Sequence, residues 1–365
     1  MKKKILLYLV LVLALTLLSV PVGTLASTGQ DVDVAQKAAQ NWLDRTAAIN
    51  PELPQWKGAT VVVPQHYESL EGEVNAYMFG VAGENRIVGH ILIGSSLYSY
   101  DVLEAGEAAP PAIPAPNVVR EAIERLGLKV DEADIGDPVK LLYTGVDGYY
   151  ALYAIQNQKV AVNLVFKNAV LASDLKPSIP SPTEYQEVKS KSASILSTGF
   201  NYLPMYYWNA PGRGWCGPCS GVSIGAYYRD YKGYSSLYSQ NWAMYDHLYY
   251  SMGTYYNGGA TFPQDYGPGF LDMTQYCGYN NFTYANDWTV THDDYWTVVS
   301  GIDSGWPTAL EITSQVHWRA IRGYDYDTGA NWYYIICTNS ATSDSWEYLN
   351  WDALGLGLFT CRIKN

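Results

Sequence analysis

Trp215-Cys216-Gly217-Pro218-Cys219-Ser220-Gly221-Val222-Ser223-Ile224-Gly225-Ala226-Tyr227-Tyr228 is the stretch on which the reading of this chain turns. Pro is tolerated in the first turn of a helix, so a helix is expected over 217–228, with Cys216 and Cys219 at its start. The N-terminus of a helix favours negative charge and so lowers the pKa of a thiol. Two chemistries use a thiol placed in this way. A pair of cysteines can exchange a disulfide with a substrate, and a single cysteine can attack a carbonyl if a histidine takes its proton. The rest of the chain must decide between them.

The redox alternative has local support. The pentapeptide 215–219 resembles the active site of thioredoxins, and Gly305-Trp306-Pro307-Thr308 resembles the Pro-Thr loop of that fold. The flanks fit it poorly. That fold needs a strong apolar strand just before the motif and βαβ alternation after it, whereas 208–214 is polar and contains Gly and Pro. Residues 231–300 are dominated by Tyr, Gly, Asn and Asp and read as long loops with short elements.

The nucleophile reading needs a distant histidine oriented by an Asn or Asp. His247, His292 and His317 are the candidates in this half of the chain. His317 opens a β-rich run, 317–324, that follows a Pro-led strand over 308–312. The next strand, 332–338, runs into Asn339. Adjacent antiparallel strands can set His317 beside Asn339, whose carbonyl would then hold the imidazole tautomer.

These motifs carry a resemblance. Cys216-Gly217-Pro218 followed by small residues and Ala226-Tyr227-Tyr228, then Pro307-Thr308-Ala309-Leu310-Glu311-Ile312, then His317-Trp318 and Gly323-Tyr324-Asp325, is similar to secreted relatives of the bacteriocin-processing peptidases. Those are papain-like cysteine peptidases, and the resemblance spans about 197–365. It implies a Cys-bearing helix packed on an antiparallel sheet, with Cys216 as nucleophile, His317 as base and Asn339 as the residue that orients it. Papain itself uses the second Cys of its Cys-Gly-x-Cys run, which would point to Cys219, but Ser220 stands where papain has Trp. Ala210 lies six residues before Cys216, with Asn209 beside it, where papain-like enzymes carry a Gln. The backbone amide of Cys216 is therefore the expected oxyanion donor. The first half of the chain resembles, more weakly, the pro-domain of streptopain-like peptidases, through a helix, aromatic strands and Gly89-His90-Ile91-Leu92-Ile93-Gly94.

Composition sets the context. The 365 residues suggest two domains and are 48% hydrophobic and 16% charged, enough for a packed core. The net charge of −12 argues against a nucleic-acid partner. Lys2 to Lys4, an apolar run to Val20, and Thr24-Leu25-Ala26 read as a signal peptide over 1–26, hence a secreted protein with no stable membrane insertion. Left uncut, the same run would anchor the chain at the cell surface. Twenty-three of the 33 Tyr, ten of the 12 Trp and all five Cys lie after residue 197, which places a boundary there.

The expected fold class is α+β, with a smaller α+β domain over 30–173 ahead of the papain-like domain over 197–365. In the first domain, Val34, Ala38 and Trp42, with Ala35 and Ala39 beside them, predict a helix over 32–46. Strands follow over 59–63, 75–81 and 86–93. After a Pro/Ala connector comes a helix capped by Asn117 and ending at Gly127, then a meander over 139–143, 149–155 and 160–166. His66 and His90 are isolated there and read as structural or surface residues. The Pro-bearing 174–196 reads as an aperiodic linker open to cleavage.

Five cysteines in a secreted chain leave at least one unpaired. Cys219–Cys277 with Cys337–Cys361 is one arrangement of two disulfides that spares Cys216. A single close Cys pair does not suggest zinc, Asp325 to Gly329 reads as a turn rather than a Ca²⁺ loop, and no cofactor is expected. The function expected is hydrolysis of a peptide or protein substrate through Cys216, His317 and Asn339, with the N-terminal domain as intramolecular inhibitor or chaperone. The alternatives are a thiol–disulfide oxidoreductase and a catalytically dead binding module with an aromatic surface.

Overall fold

The structure is a computed structural model that describes residues 29–190, 197–210, 215–288, 291–312, 317–355 and 358–365. The signal segment expected over 1–26, the end of the linker (191–196) and 211–214 before the motif lie outside these residues.

The first helix, α1 (Gly29–Ile49), buries Ala35, Ala39, Trp42 and Leu43, one residue out of phase with the stripe read from Val34 and Ala38; Val34 is exposed. The stripe lies on β1 (Thr60–Glu68), β2 (Val74–Ala82), β3 (Ile87–Gly94) and β4 (Val102–Gly106). Helix α2 (Pro116–Glu124) starts with Pro116 at its first turn, not with Asn117 as cap, because the fixed φ of Pro is already helical. The meander forms β5 (Lys140–Tyr143), β6 (Tyr149–Ile155), β7 (Gln158–Asn163) and β8 (Ala169–Leu171).

Within the segment expected to be a plain linker, residues 182–190 form a helix, α3 (Pro182–Ser190). Its buried Tyr185 donates to Asp101, and Lys189 pairs with the same carboxylate at 2.5 Å. A capping box adds to these contacts, with the Ser181 N–H donating to Glu184 Oε2 at 2.8 Å and the Glu184 N–H donating to Ser181 Oγ at 3.3 Å, so the short helix forms without a sequence period.

The second half contains β9 (Thr198–Tyr202), α4 (Cys216–Tyr231), α5 (Asn241–Ser251), α6 (Pro263–Tyr276), β10 (Thr283–Asp287), α7 (Tyr295–Asp303), β11 (Thr308–Ile312), β12 (His317–Asp327), β13 (Trp332–Asn339), β14 (Asp344–Asn350) and β15 (Leu358–Lys364). The segment 231–300 thus carries three α-helices where long loops were expected. Tyr, Gly and an internal Pro268 give these helices poor propensity, and packing supplies what propensity lacks: Met244, Tyr245, Leu248, Tyr266, Phe270 and Met273 all lie in one core.

The strands make one mixed sheet, in the order β10-β15-β11-β12-β13-β14-β4-β3-β2-β1-β5-β6-β7-β8, with β9 on β12. The pairs are antiparallel except β1 with β5. The two halves of the chain join within this sheet, where Tyr348 and Leu349 of β14 face Ala105 and Glu104 of β4. They also share a core: Trp42, Trp56, Phe79 and Ile91 pack with Tyr334, Ile336, Trp346 and Tyr348. Arg45 of α1 forms a two-pronged pair with the buried Asp325 of β12, at 2.6 and 2.8 Å. Among the described residues no helix is long and apolar enough to cross a membrane.

Candidate active site

Cys216 is the first residue of α4. Trp215, the residue before it, is extended and offers no side-chain cap, and of the first turn the Gly217 N–H reaches the thiol, Pro218 having none and the Cys219 N–H donating to Trp215 O. The helix is held close to its surroundings by its small residues. A Cβ on Gly217 would lie 2.1 Å from Thr261 Oγ1, and one on Gly225 would lie 2.4 Å from Met244 Sδ. Gly217, which could have left room for a substrate, instead lets the 254–261 segment approach.

His317 begins β12, paired with Ile312 of β11, and is buried; Cys216 is half-buried. The His317 ring hydrogen-bonds Cys216. Its Nε2 donates to Asn339 Oδ1 at 2.9 Å. The orientation of the Asn339 amide is set by its other partners. Oδ1 also accepts from the Ala341 N–H at 2.9 Å, and Nδ2 donates to Glu347 Oε1 at 2.8 Å. An oxygen so fixed calls for a proton on Nε2, which leaves Nδ1 to face the thiol.

The electrostatics follow. Burial disfavours the Cys216 thiolate, but the His317 charge, the hydrogen bond from its ring and the N–H groups of Trp318 and Gly217 outweigh burial and bring the thiol below its usual range. Burial likewise works against the imidazolium, and Cys216 outweighs it, so His317 is raised. The two shifts agree in sign and describe a thiolate–imidazolium pair. Cys219 differs: burial pushes its thiol up to about 12, and its Sγ sits 4.0 Å from Asn209 Oδ1. The Asn209 amide nitrogen, the polar group nearest the position of the missing Gln, donates to Ser340 O at 3.2 Å.

The three residues singled out from the sequence are therefore brought together, along with four that were not. Arg319, two residues along β12, lies on the same face as His317 and pairs with Glu347 at 2.5 Å and with Asp147 at 2.6 Å. Arg319, Glu347 and Asp147 are at most 1% exposed. Phe166, from the β7–β8 turn, meets the His317 ring edge-on at 5.4 Å. The alternation His317-Trp318-Arg319 could have flagged Arg319 as a buried charge on the histidine's face. No sequence signal ties Asp147 or Phe166 to that face.

Other expectations are corrected. His90 is not isolated: it lies 3.7 Å from the buried Glu104 and near Asp344, and these charges raise it to about 9 against the opposing effect of burial. His292, a candidate partner for the thiol, is instead tied to Asp352, its Nδ1 2.5 Å from Asp352 Oδ1. All five cysteines are free thiols, so the two disulfides are absent. Cys337 and Cys361 sit on β13 and β15 with β11 and β12 between them, three strand spacings or roughly 14 Å apart, beyond disulfide reach.

Among the described residues no group of His, Cys, Asp or Glu is placed to hold a metal ion. A cavity of about 730 Å³ is lined by Tyr98, Ile179, Glu187, His292 and Trp351 among others, and by none of Cys216, His317 and Asn339. No family model and no curated protein matches the chain.

Proposed function

We propose that the protein is a secreted cysteine peptidase of papain-like fold that hydrolyses peptide or protein substrates through Cys216, His317 and Asn339. The observation that carries this reading is the ring of His317, held at Nε2 by Asn339 and facing the thiol at the start of α4. The reaction then runs as follows. The Cys216 thiolate attacks the peptide carbonyl carbon, and the negative charge passes to the carbonyl oxygen, where the backbone amide of Cys216 receives it. The His317 imidazolium gives its proton to the departing amine as the C–N bond breaks. His317 next takes a proton from water, the resulting hydroxide attacks the thioester, and Cys216 leaves as thiolate. Asn339 keeps the ring in register throughout. No step needs a cofactor.

The contact of Phe166 with His317 supports control of access by the N-terminal domain, as inhibitor, as chaperone or as both. The test is a brief iodoacetamide treatment of the native, unreduced protein near pH 6, mapped by mass spectrometry. At that pH an ordinary thiol, with a pKa of roughly 8.5, reacts slowly. Labelling of Cys216 that disappears in His317→Ala and persists in Cys219→Ser is expected. A Cys216–Cys219 disulfide whose reactivity ignores His317 would replace this reading with the oxidoreductase. An inert Cys216 would leave the binding module.

A further inference from the structure

Behind His317 the buried polar chain does not end at Asn339. It continues through Glu347 and Arg319 into the first half of the molecule, where it stops at Asp147. We propose that Asp147 is a positioning residue for the Cys216–His317 pair, acting through Arg319, Glu347 and Asn339, so that the N-terminal domain is a working part of the active site; this rests on the peptidase reading.

Each link leaves little choice to the next. Asn339 can present its oxygen to His317 only if its nitrogen faces an acceptor, and that acceptor is Glu347 Oε1. Glu347 is fixed by Arg319, whose Nε reaches Oε2 at 2.5 Å and whose Nη2 reaches Oε1 at 3.3 Å. The same Nη2 donates to Asp147 Oδ2 at 2.6 Å. With all three charged groups out of water, the guanidinium is clamped between two carboxylates instead of swinging on one.

Asp147 is itself held. It sits in the β5–β6 turn with φ +60°, a conformation that Asp and Asn tolerate. Its carbonyl accepts from Asn163 Nδ2 at 2.8 Å. Asn163 Oδ1 accepts from the N–H groups of Val165 and Phe166, both at 2.8 Å, which sets Phe166 on the histidine. One asparagine thus fixes both groups that the N-terminal domain sends towards the site.

The charges facing His317 are Cys216 from α4, Arg319 from its own strand and Asp147 from the turn. Arg319 alone would oppose an imidazolium, and Asp147 favours one. Removing the Asp147 charge should therefore let His317 lose its proton at lower pH.

The experiment is the pH profile of Cys216 alkylation in the full chain carrying Asp147→Asn, a substitution that keeps shape and turn conformation. The expected result is an upper inflection moved to lower pH and labelling near pH 6 slowed by roughly 10–100-fold, the range set by groups that orient a site from behind. Inflections that superimpose on wild type overturn the proposal, with or without a slower rate, because general loosening changes the rate without moving the inflection. If Asp147→Asn does not accumulate folded, Glu347→Gln, which leaves the Arg319–Asp147 pair in place, is read in the same two ways. Thiol reactivity needs no substrate, so a wild-type Cys216 that labels independently of His317 marks the failure of the peptidase reading and of this one with it, whereas superimposed inflections on a His317-dependent Cys216 overturn this one alone.

Discussion

Residues 197–365 produced alone should not fold. Cutting the first half away uncovers Tyr334, Ile336, Trp346 and Tyr348, each at most 4% exposed in the whole chain. Exposing a large apolar side chain costs about 1.5–3 kcal/mol, so these four forfeit roughly 6–12 kcal/mol. That loss alone is comparable to the whole stability of a typical domain, about 5–15 kcal/mol. Two charges are stranded besides. Asp325 loses Arg45, and Arg319 loses Asp147, each from a buried or part-buried pair whose rupture costs about 3–5 kcal/mol. The strand β14 also loses its neighbour β4 and becomes a sheet edge. The assay compares near-ultraviolet circular dichroism and thermal unfolding of 197–365 with those of 27–365. A chain nicked within 191–196 serves as control and should elute as one species, because those interfaces stay intact. A fragment 197–365 with a cooperative transition near that of the whole chain would refute the argument and restore a removable pro-domain.

Two further substitutions test the packing around the site. Arg45→Met should cost about 3 kcal/mol, the low end for a broken buried pair because the guanidinium is about a quarter exposed. Burial holds the Asp325 carboxyl above its usual range even with Arg45 opposing it. Without Arg45 the folded-state pKa climbs further above the unfolded value, so the loss is smaller near pH 4 and grows as pH rises through the carboxylate range; urea melts at pH 4.5 and 7.5 that give equal losses would contradict this. Gly217→Ala gains up to about 1 kcal/mol of helix propensity but meets Thr261 Oγ1 at 2.1 Å and Thr261 Cβ at 2.5 Å, an overpacking that costs about 1–3 kcal/mol. A net loss of stability and weaker labelling of Cys216 are expected, since Thr261 O also holds Trp318 Nε1 next to His317. Unchanged melting and labelling would show that the segment yields freely.

What the sequence disclosed and what it hid divide along the range of the interactions. The strand pair that sets His317 beside Asn339 was legible because β-branched and aromatic runs alternate at the strand period and the intervening turn is short. The helix beginning at Cys216 was legible from Pro218. The helices α5 to α7 were not, because Tyr and Gly are poor helix formers in isolation and acquire their conformation from the core they share. The strand β14 was missed for another reason: Asp344-Ser345-Trp346-Glu347 looks polar, and Asp344 and Glu347 are buried by partners far along the chain, Ala108 and Arg319. Asp147 reads as a turn residue from its neighbours Val146 and Gly148, and it is one. Its second role depends on a contact 172 positions away that no local pattern encodes.

The same limit applies to the pentapeptide with which the reading began. Cys216 and Cys219 stand three apart at a helix start in either chemistry, and in either chemistry the outer thiol is the more acidic one. What separates the two readings is the source of that acidity. In a dithiol exchanger the helix end and the neighbouring thiol supply it, and a distant histidine adds nothing. Here the His317 charge and hydrogen bond are the largest influences lowering Cys216, ahead of the backbone N–H groups, while the neighbouring Cys216 is among the influences raising Cys219. His317 in turn owes its raised affinity for a proton first to Cys216, against the cost of its own burial. Each group favours the charged form of the other. On the proposed peptidase reading, loss of either should discharge the other, so that a partner 101 residues away sets the reactivity of Cys216.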